Sequence, residues 1–330
     1  MSENLAGQDL LVRVGEVVGD ALLGAERVFI EELSSSHAYV TDVLDHAARF
    51  RGKRLRPTLL LLSAAATGGI KKDHEVLAAV LEMIHTATLV HDDVLDEAET
   101  RRHVATVNGR WNNETSVLFG DYLFTHAFHL ASSLESTLAC RLIGRATNIV
   151  CEGELTQIHE RGNLDLAEQT YFQIIDGKTA ELCASSCHLG AHFAGADEAV
   201  TQSLESYGRS LGVAFQIADD MLDIAGSEQE TGKSLGSDFR KQKLTLPLIH
   251  LLRTSNAQTA SRVRELFSEP NAASWAELAQ LLEDSNSMEY ARRRAEEYTA
   301  RARAELESLE DSTAKQLLEE ITEFVADRSF

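Results

Sequence analysis

Proline is almost missing from this chain. Only Pro57, Pro247 and Pro270 occur in 330 residues, and so few helix breakers beside abundant Ala, Leu and Glu predict an almost wholly helical protein. Cysteine is scarce too. Cys140, Cys151, Cys183 and Cys187 form no CxxC, and Cys183 and Cys187, which share a helical face, read as small buried hydrophobes rather than ligands or a disulfide. Basic residues are in deficit, 31 against 52 acidic for a net charge of −21. That balance argues against nucleic acid and against electrostatic docking on anionic membranes. There is no long uncharged apolar run, hence no transmembrane segment, and no signal-like amino terminus; a soluble cytoplasmic protein is expected. No linker or composition break divides residues 1–330, which are read as a single domain.

What is present is organised around Ile84 to Arg102, IHTATLVHDDVLDEAETRR. On a 3.6-residue helix Asp92 and Asp96 lie one above the other with Asp93 beside them, and the face continues upstream through Thr88, His85 and Leu81. Far downstream the pattern returns as FQIADDMLDIAG. There Asp219 and Asp223 stack, and Gln216 and Gly212 continue the face. Carboxylates this crowded repel one another, and Mg²⁺ relieves such repulsion, taking one or two protein carboxylates and filling its shell with water and phosphate oxygens. A solvated acidic surface explains one such motif but poorly explains two, each after an apolar helical run.

So acidic a chain needs a local basic cluster to hold an anion. Arg51 to Pro57, RGKRLRP, supplies one. Pro57 fits the first turn of a helix, which places Lys53 and Arg56 just ahead of a helix amino terminus, a natural site for phosphate oxygens. Arg101 and Arg102 follow the first aspartate motif with forked donors that match phosphate. His85 points the same way as the aspartates, whereas His91, His103, His126 and His129 have no such argument behind them. Gly120 and Gly144 are candidate close-packing points. Asn163 or Asp165 is placed to cap the next helix, Asp165 with Glu168 at capping-box spacing. In DGKTAELC, Gly177 loosens the turn before Lys178 and Thr179, although GKT alone lacks the glycine spacing of a phosphate-binding loop. The polar stretch 226–243 reads as an active-site lid carrying Lys233 and Lys243. The last fifty or so residues, rich in Glu and Arg, read as solvated helices without a site.

Taken together, GKRLRP, the two DDxLD motifs, RR, GKT and FQ make the chain resemble the trans-prenyl diphosphate synthases from about Gly52 to Leu252, and EMIHTATLVHDDVLDEAETRR is especially similar to their long-chain polyprenyl (octaprenyl-type) branch. The resemblance implies an all-α, single-domain helical bundle around a central cavity, the isoprenoid synthase type I fold, usually as a homodimer. It implies that Asp92, Asp96 and Asp219 coordinate three Mg²⁺ on an allylic diphosphate. It implies that Arg101, Lys178, Lys233 and Lys243 contact that diphosphate, and that Lys53, Arg56, His85 and Arg102 hold isopentenyl diphosphate. Thr179 and Gln216 match polar groups near the developing cation, so Lys178, Thr179 and Gln216 form the catalytic set. Asp93, Asp220 and Asp223 are left to act through waters or hydrogen bonds. The implied chemistry needs no protein nucleophile, and no Ser/His/Asp or Cys/His signature is present.

Product length is read from the first aspartate helix. A helical turn rises about 5.4 Å, roughly one isoprene unit, so one bulky residue per turn sets a stopping point. Ala87 and Thr88, five and four residues before Asp92, are small where short-chain members of the family carry an aromatic. The tunnel is therefore expected open and the product long, with a geranylgeranyl or farnesyl length as the alternative should Phe124 or Phe128 close it. A class I terpene cyclase would lack the GKRLRP cluster and replace the second DDxxD. A non-catalytic subunit of a heteromeric synthase would have lost aspartates or arginines that this chain retains.

Overall fold

Apolar residues at helical spacing become buried helix faces in the computed structural model, which describes residues 2–48, 54–101, 104–226 and 235–327. Lys53, Arg102 and Lys233 lie outside the described residues. The fold is all-α. Among the described residues the exception is one antiparallel hairpin, β1 (Thr100–Arg101) paired with β2 (Val104–Ala105), Arg101 standing opposite Val104.

Backbone contacts group the chain into two compact units. The first comprises Met1–Thr147, Leu182–Gly208 and Glu305–Ile321. In it α4 (Lys72–Leu95) packs on α1 (Ser2–Glu32), α3 (Leu55–Ala65) and α6 (Asn113–Ser132). Leu77, Ala78, Ala79, Val80, Leu81, Met83, Ile84 and Ala87 are all buried, more than one stripe can hold, as a helix surrounded by neighbours requires. Gly120 of α6 lies directly against the ring of His91, where no Cβ would fit. Gly144 makes only an ordinary contact with Phe128 and is not a close-packing point.

The amino terminus of α4 is held by His74, which is fully buried. Its Nδ1 accepts from the Lys71 amide at 2.8 Å and its Nε2 lies 3.1 Å from Gly190 O on α9 (Glu181–Ala194). With Nδ1 accepting, Nε2 carries the proton and the ring is neutral.

The second unit comprises Asn148–Glu181, Arg209–Ala304 and Thr322–Phe330. It draws on α7 (Thr137–His159), α8 (Glu168–Ile175), a π-helical turn (Asp176–Ala180) and α10 (Glu198–Ala225). It continues with the short α11 (Ser237–Arg240), then α12 (Leu246–Thr254), α13 (Ala257–Ser268), α14 (Ala272–Glu283) and α15 (Ser287–Leu306). Tyr171, Val213, Ile217, Phe239, Leu248 and Phe267 share its core. Two local expectations are corrected. Ala167, not Asn163 or Asp165, is the N-cap of α8; Asp165 instead pairs with Arg264, and Glu168 receives Arg253 and the Tyr290 hydroxyl. The carboxy-terminal helices are not merely solvated, since α15 buries Ala291 and Ala295 in the core.

Burial lowers the His74 pKa from its ordinary 6.5. The folded protein then resists protonation more than the unfolded chain, so this stabilisation is complete above pH 6.5 and is lost as pH falls from there toward the folded pKa. Thermal melts across that window should show His74→Gln with a shallower loss of Tm on acidification than the parent. Parallel slopes would exclude His74 as the group responsible.

Candidate active site

In the first unit the carboxylates gather where α4 ends. Asp92 and Asp93 occupy its last turn, which carries no basic residue, and Asp96 is the C-cap, its amide donating to Asp92 O at 2.8 Å. Glu97, at φ 49°, then turns the chain back toward β1. The unsatisfied carbonyls at a helix carboxy terminus make it the worst place for extra negative charge and a good one for a cation. The motif deals with part of this charge internally. Asp93 is 2% exposed, and Arg101 reaches its Oδ1 through Nε (3.0 Å) and Nη2 (2.9 Å). Asp92 and Asp96 stay half-buried.

The hairpin thus delivers Arg101 to the aspartate motif, although its fork is engaged by Asp93. Arg56 lies in the first turn of α3 with Pro57, and its Nε is buried with no hydrogen-bond partner among the described residues. Its neighbour Arg54, at φ 54°, is tied to Glu26 at 3.0 Å. His85 and Thr88 are half-buried on one face of α4, the Thr88 hydroxyl donating to His85 O at 2.8 Å, while Ala87 is fully enclosed.

In the second unit Asp219, Asp220 and Asp223 stand near the carboxy-terminal end of α10, again with no basic residue in the last turn. Asp219 is exposed. Asp220 is buried and receives the Tyr171 hydroxyl at 2.6 Å and Gln216 Nε2 at 2.8 Å; Gln216 Oε1 in turn accepts from the Thr179 hydroxyl at 2.8 Å. Burial and the charge of Asp238 hold the Asp220 pKa well above the usual carboxylate range, against the pull of those two donors. Asp223 spends its carboxylate on the amides of Ser237 (3.1 Å) and Asp238 (3.0 Å), which starts α11 and brings Lys243 into a small pocket with Asp223, Asp238 and Trp275.

Lys178 and Thr179 sit on the π turn, a feature that tends to mark functional sites. A Cβ on Gly153 of α7 would lie 2.8 Å from Lys178 N, and one on Gly212 of α10 only 2.6 Å from Ala180 Cα. Glycines at both crossings therefore let α7 and α10 close on the turn, Gly212 bringing Gln216 to Thr179. Lys178 pairs with Glu154 and donates to Gln157 at 3.0 Å. Gly153, Glu154, Gln157 and Tyr171 escaped the sequence reading. The one available signal was a glycine inside a helix, costly unless something packs against it.

Both motifs divide their labour alike: the second aspartate of each DD pair is buried and hydrogen-bonded, and the first is left more open. Among the described residues no three His, Cys, Asp or Glu side chains gather to hold a metal unaided. The carboxylates of Asp92, Asp96 and Asp219, all-oxygen donors at negative helix ends, fit Mg²⁺, which takes few protein ligands and completes its shell with phosphate and water.

Two such motifs on a helical chain, with a lysine-bearing π turn and an arginine beside a helix start, suit the class of metal-dependent enzymes that act on diphosphates. The polyprenyl synthetase profile matches residues 37–285, and the chain belongs to that family. It is 34% identical over 309 residues to octaprenyl diphosphate synthase of Escherichia coli (strain K12), covering 93% of this chain and 96% of that one. The crystal structure of a decaprenyl diphosphate synthase from Rhodobacter capsulatus superposes with a TM-score of 0.91 at 34% identity, over 96% of this chain and 99% of that one. A polyprenyl synthase from Caulobacter crescentus CB15, complexed with calcium and isoprenyl diphosphate, also gives 0.91 at 34% identity, over 95% and 96%. The chain is a trans-prenyltransferase of a Mg²⁺-dependent family that uses isopentenyl and allylic diphosphates. No described helix is long and apolar enough to cross a membrane.

The two aspartates of the second motif should part company in denaturant titrations without metal. Asp220→Ala strips the acceptor from Tyr171 and Gln216 and should cost about 1–3 kcal/mol for buried donors left unpaired. Asp219→Asn removes an exposed like charge from a helix end and should leave stability unchanged or raise it by about 0.3–1 kcal/mol. Equal losses in both variants would make Asp219 a structural residue.

Proposed function

We propose that this enzyme adds isopentenyl diphosphate repeatedly to an allylic prenyl diphosphate and releases a long-chain all-trans product. The observation that carries the proposal is the repeated arrangement in which the second aspartate of each pair, Asp93 or Asp220, is buried and bonded, while Asp92 is half-buried and Asp219 exposed. Asp92, Asp96 and Asp219 are the proposed ligands of three Mg²⁺. When bound, the ions neutralise the diphosphate as it departs, the electrostatic stabilisation that usually dominates such a barrier.

The chain's own groups do the rest. Lys178 exchanges Glu154 and Gln157 for the leaving diphosphate, joined by Arg101, Lys233 and Lys243. Lys53, Arg56, His85 and Arg102 hold isopentenyl diphosphate, and the buried, unbonded Nε of Arg56 supports an anion there. Asp220 fixes the Gln216 amide, so Gln216 Oε1 and the Thr179 hydroxyl present oxygens to the allylic cation. Those oxygens stabilise positive charge without attacking it. The elongating chain is proposed to run past the small residues Ala87 and Thr88. The enzyme is proposed to be cytoplasmic and a homodimer, for which exposed Val117 and Leu118 on α6 offer apolar surface.

Incubation with Mg²⁺, farnesyl diphosphate and isopentenyl diphosphate should release pyrophosphate and give products longer than geranylgeranyl diphosphate, with chelation stopping both. No release with any allylic primer would refute the proposal. In the same assay Ala87→Phe or Thr88→Phe should shorten the product; unchanged length in both would show that the growing chain does not pass this part of α4.

A further inference from the structure

The turn Asp176–Ala180 is wound one residue wider than the helices on either side. Its closing bond runs from the Glu181 amide to Asp176 O, five residues back. π-helix is rare, and its neighbours α8 and α9 are ordinary α-helix, so something must hold the wide register. Gly153, Gly177 and Gly212 make room around the turn but do not choose its winding.

Arg209 does. Its Nη1 donates to both carboxylate oxygens of Asp176, at 3.1 and 3.0 Å, and its Nη2 donates to Glu181 Oε2 at 2.7 Å. These are the two residues joined by the closing backbone bond. On an α-helix residues five apart point about 140° from each other, out of reach of one guanidinium. In the wider turn they stack, much as residues four apart do on an α-helix. A fork that grips both acids therefore favours the π register.

We infer that Arg209 is a positioning residue that clamps Asp176 to Glu181 and so keeps the turn wide, aiming Lys178 at the diphosphate and Thr179 at Gln216. The inference rests on the roles proposed above for Lys178 and Thr179. Loss of the extra residue from the turn would rotate the side chains beyond it by about 100° relative to those before it. The Thr179 to Gln216 bond would not survive such a rotation. The two arms are unequal: Glu181 is 5% exposed and Asp176 40%, so solvent screens the Asp176 arm more.

Steady-state kinetics of the full chain with Mg²⁺, farnesyl diphosphate and isopentenyl diphosphate test this. Arg209→Gln should lower kcat/KM for the allylic substrate by about 10²-fold, the scale of an ångström-level misplacement. KM for isopentenyl diphosphate should stay at the parent value. Arg209→Lys, which keeps the charge but not the fork, should recover part of the loss. In a Lys178→Ala, Thr179→Val background Arg209→Gln should cost little more, because its effect passes through those residues. Additive losses, or equal damage to both substrates, would overturn the inference and leave Arg209 a general support. If Arg209→Gln fails to fold, Asp176→Asn should give a smaller loss in the same parameter, and no loss would overturn it. A parent protein without activity, or Lys178→Ala as active as the parent, would refute the proposed function itself and is read before any Arg209 variant.

Discussion

Two carboxylates side by side at the negative end of a helix are a poor arrangement for stability, and this chain builds it twice. The helix carbonyls add to the repulsion. Each motif removes half of the difficulty with its own residues: Arg101 neutralises Asp93, and Tyr171 and Gln216 solvate Asp220. What remains at the end of α10 is the exposed carboxylate of Asp219, with no basic residue in the last turn to offset it. A cation is the natural complement of such a place, where the helix carbonyls also favour positive charge.

The rigidity that makes this useful comes from packing. α4 is buried on several sides over residues 77–87, which anchors the helix that ends in the aspartates. In the second unit the same role falls to the crossings at Gly153 and Gly212, where backbone meets backbone without an intervening side chain. The polar groups near the π turn are then within reach of partners on α7 and α10. Lys178 finds Glu154 and Gln157 there, and Thr179 finds Gln216.

Much of this was legible because it is periodic. The helices, the aspartate faces, the glycine contact at Gly120 and the loosened turn at Gly177 are all written in spacings of a few residues. Features that depend on partners distant in the chain were not. Tyr171 meets Asp220 and Arg209 meets Asp176 only after folding, and nothing local to Tyr171 or Arg209 announces it. Arg101 was legible as an anion binder, but its engagement with Asp93 required the hairpin, which two-residue strands do not reveal. The buried face of α15 went unseen because alanines at 291 and 295 are small, while the three Arg between them and the Glu on either side dominate the pattern.

The two motifs look alike in sequence, yet their third aspartates have different work. Asp96 is a half-buried C-cap. Asp223 gives one carboxylate oxygen to each of two amides, without which α11 would start with unsatisfied donors. By starting α11 there, Asp223 sets the path of the chain that carries Lys243. The half-buried Asp92 and Asp96 of the first motif and the exposed Asp219 of the second are the proposed ligands. The repetition lies in the first two positions, where a buried acid follows a more exposed one; at the third, the second motif's carboxylate is held by the amides that start α11 on the way to Lys243.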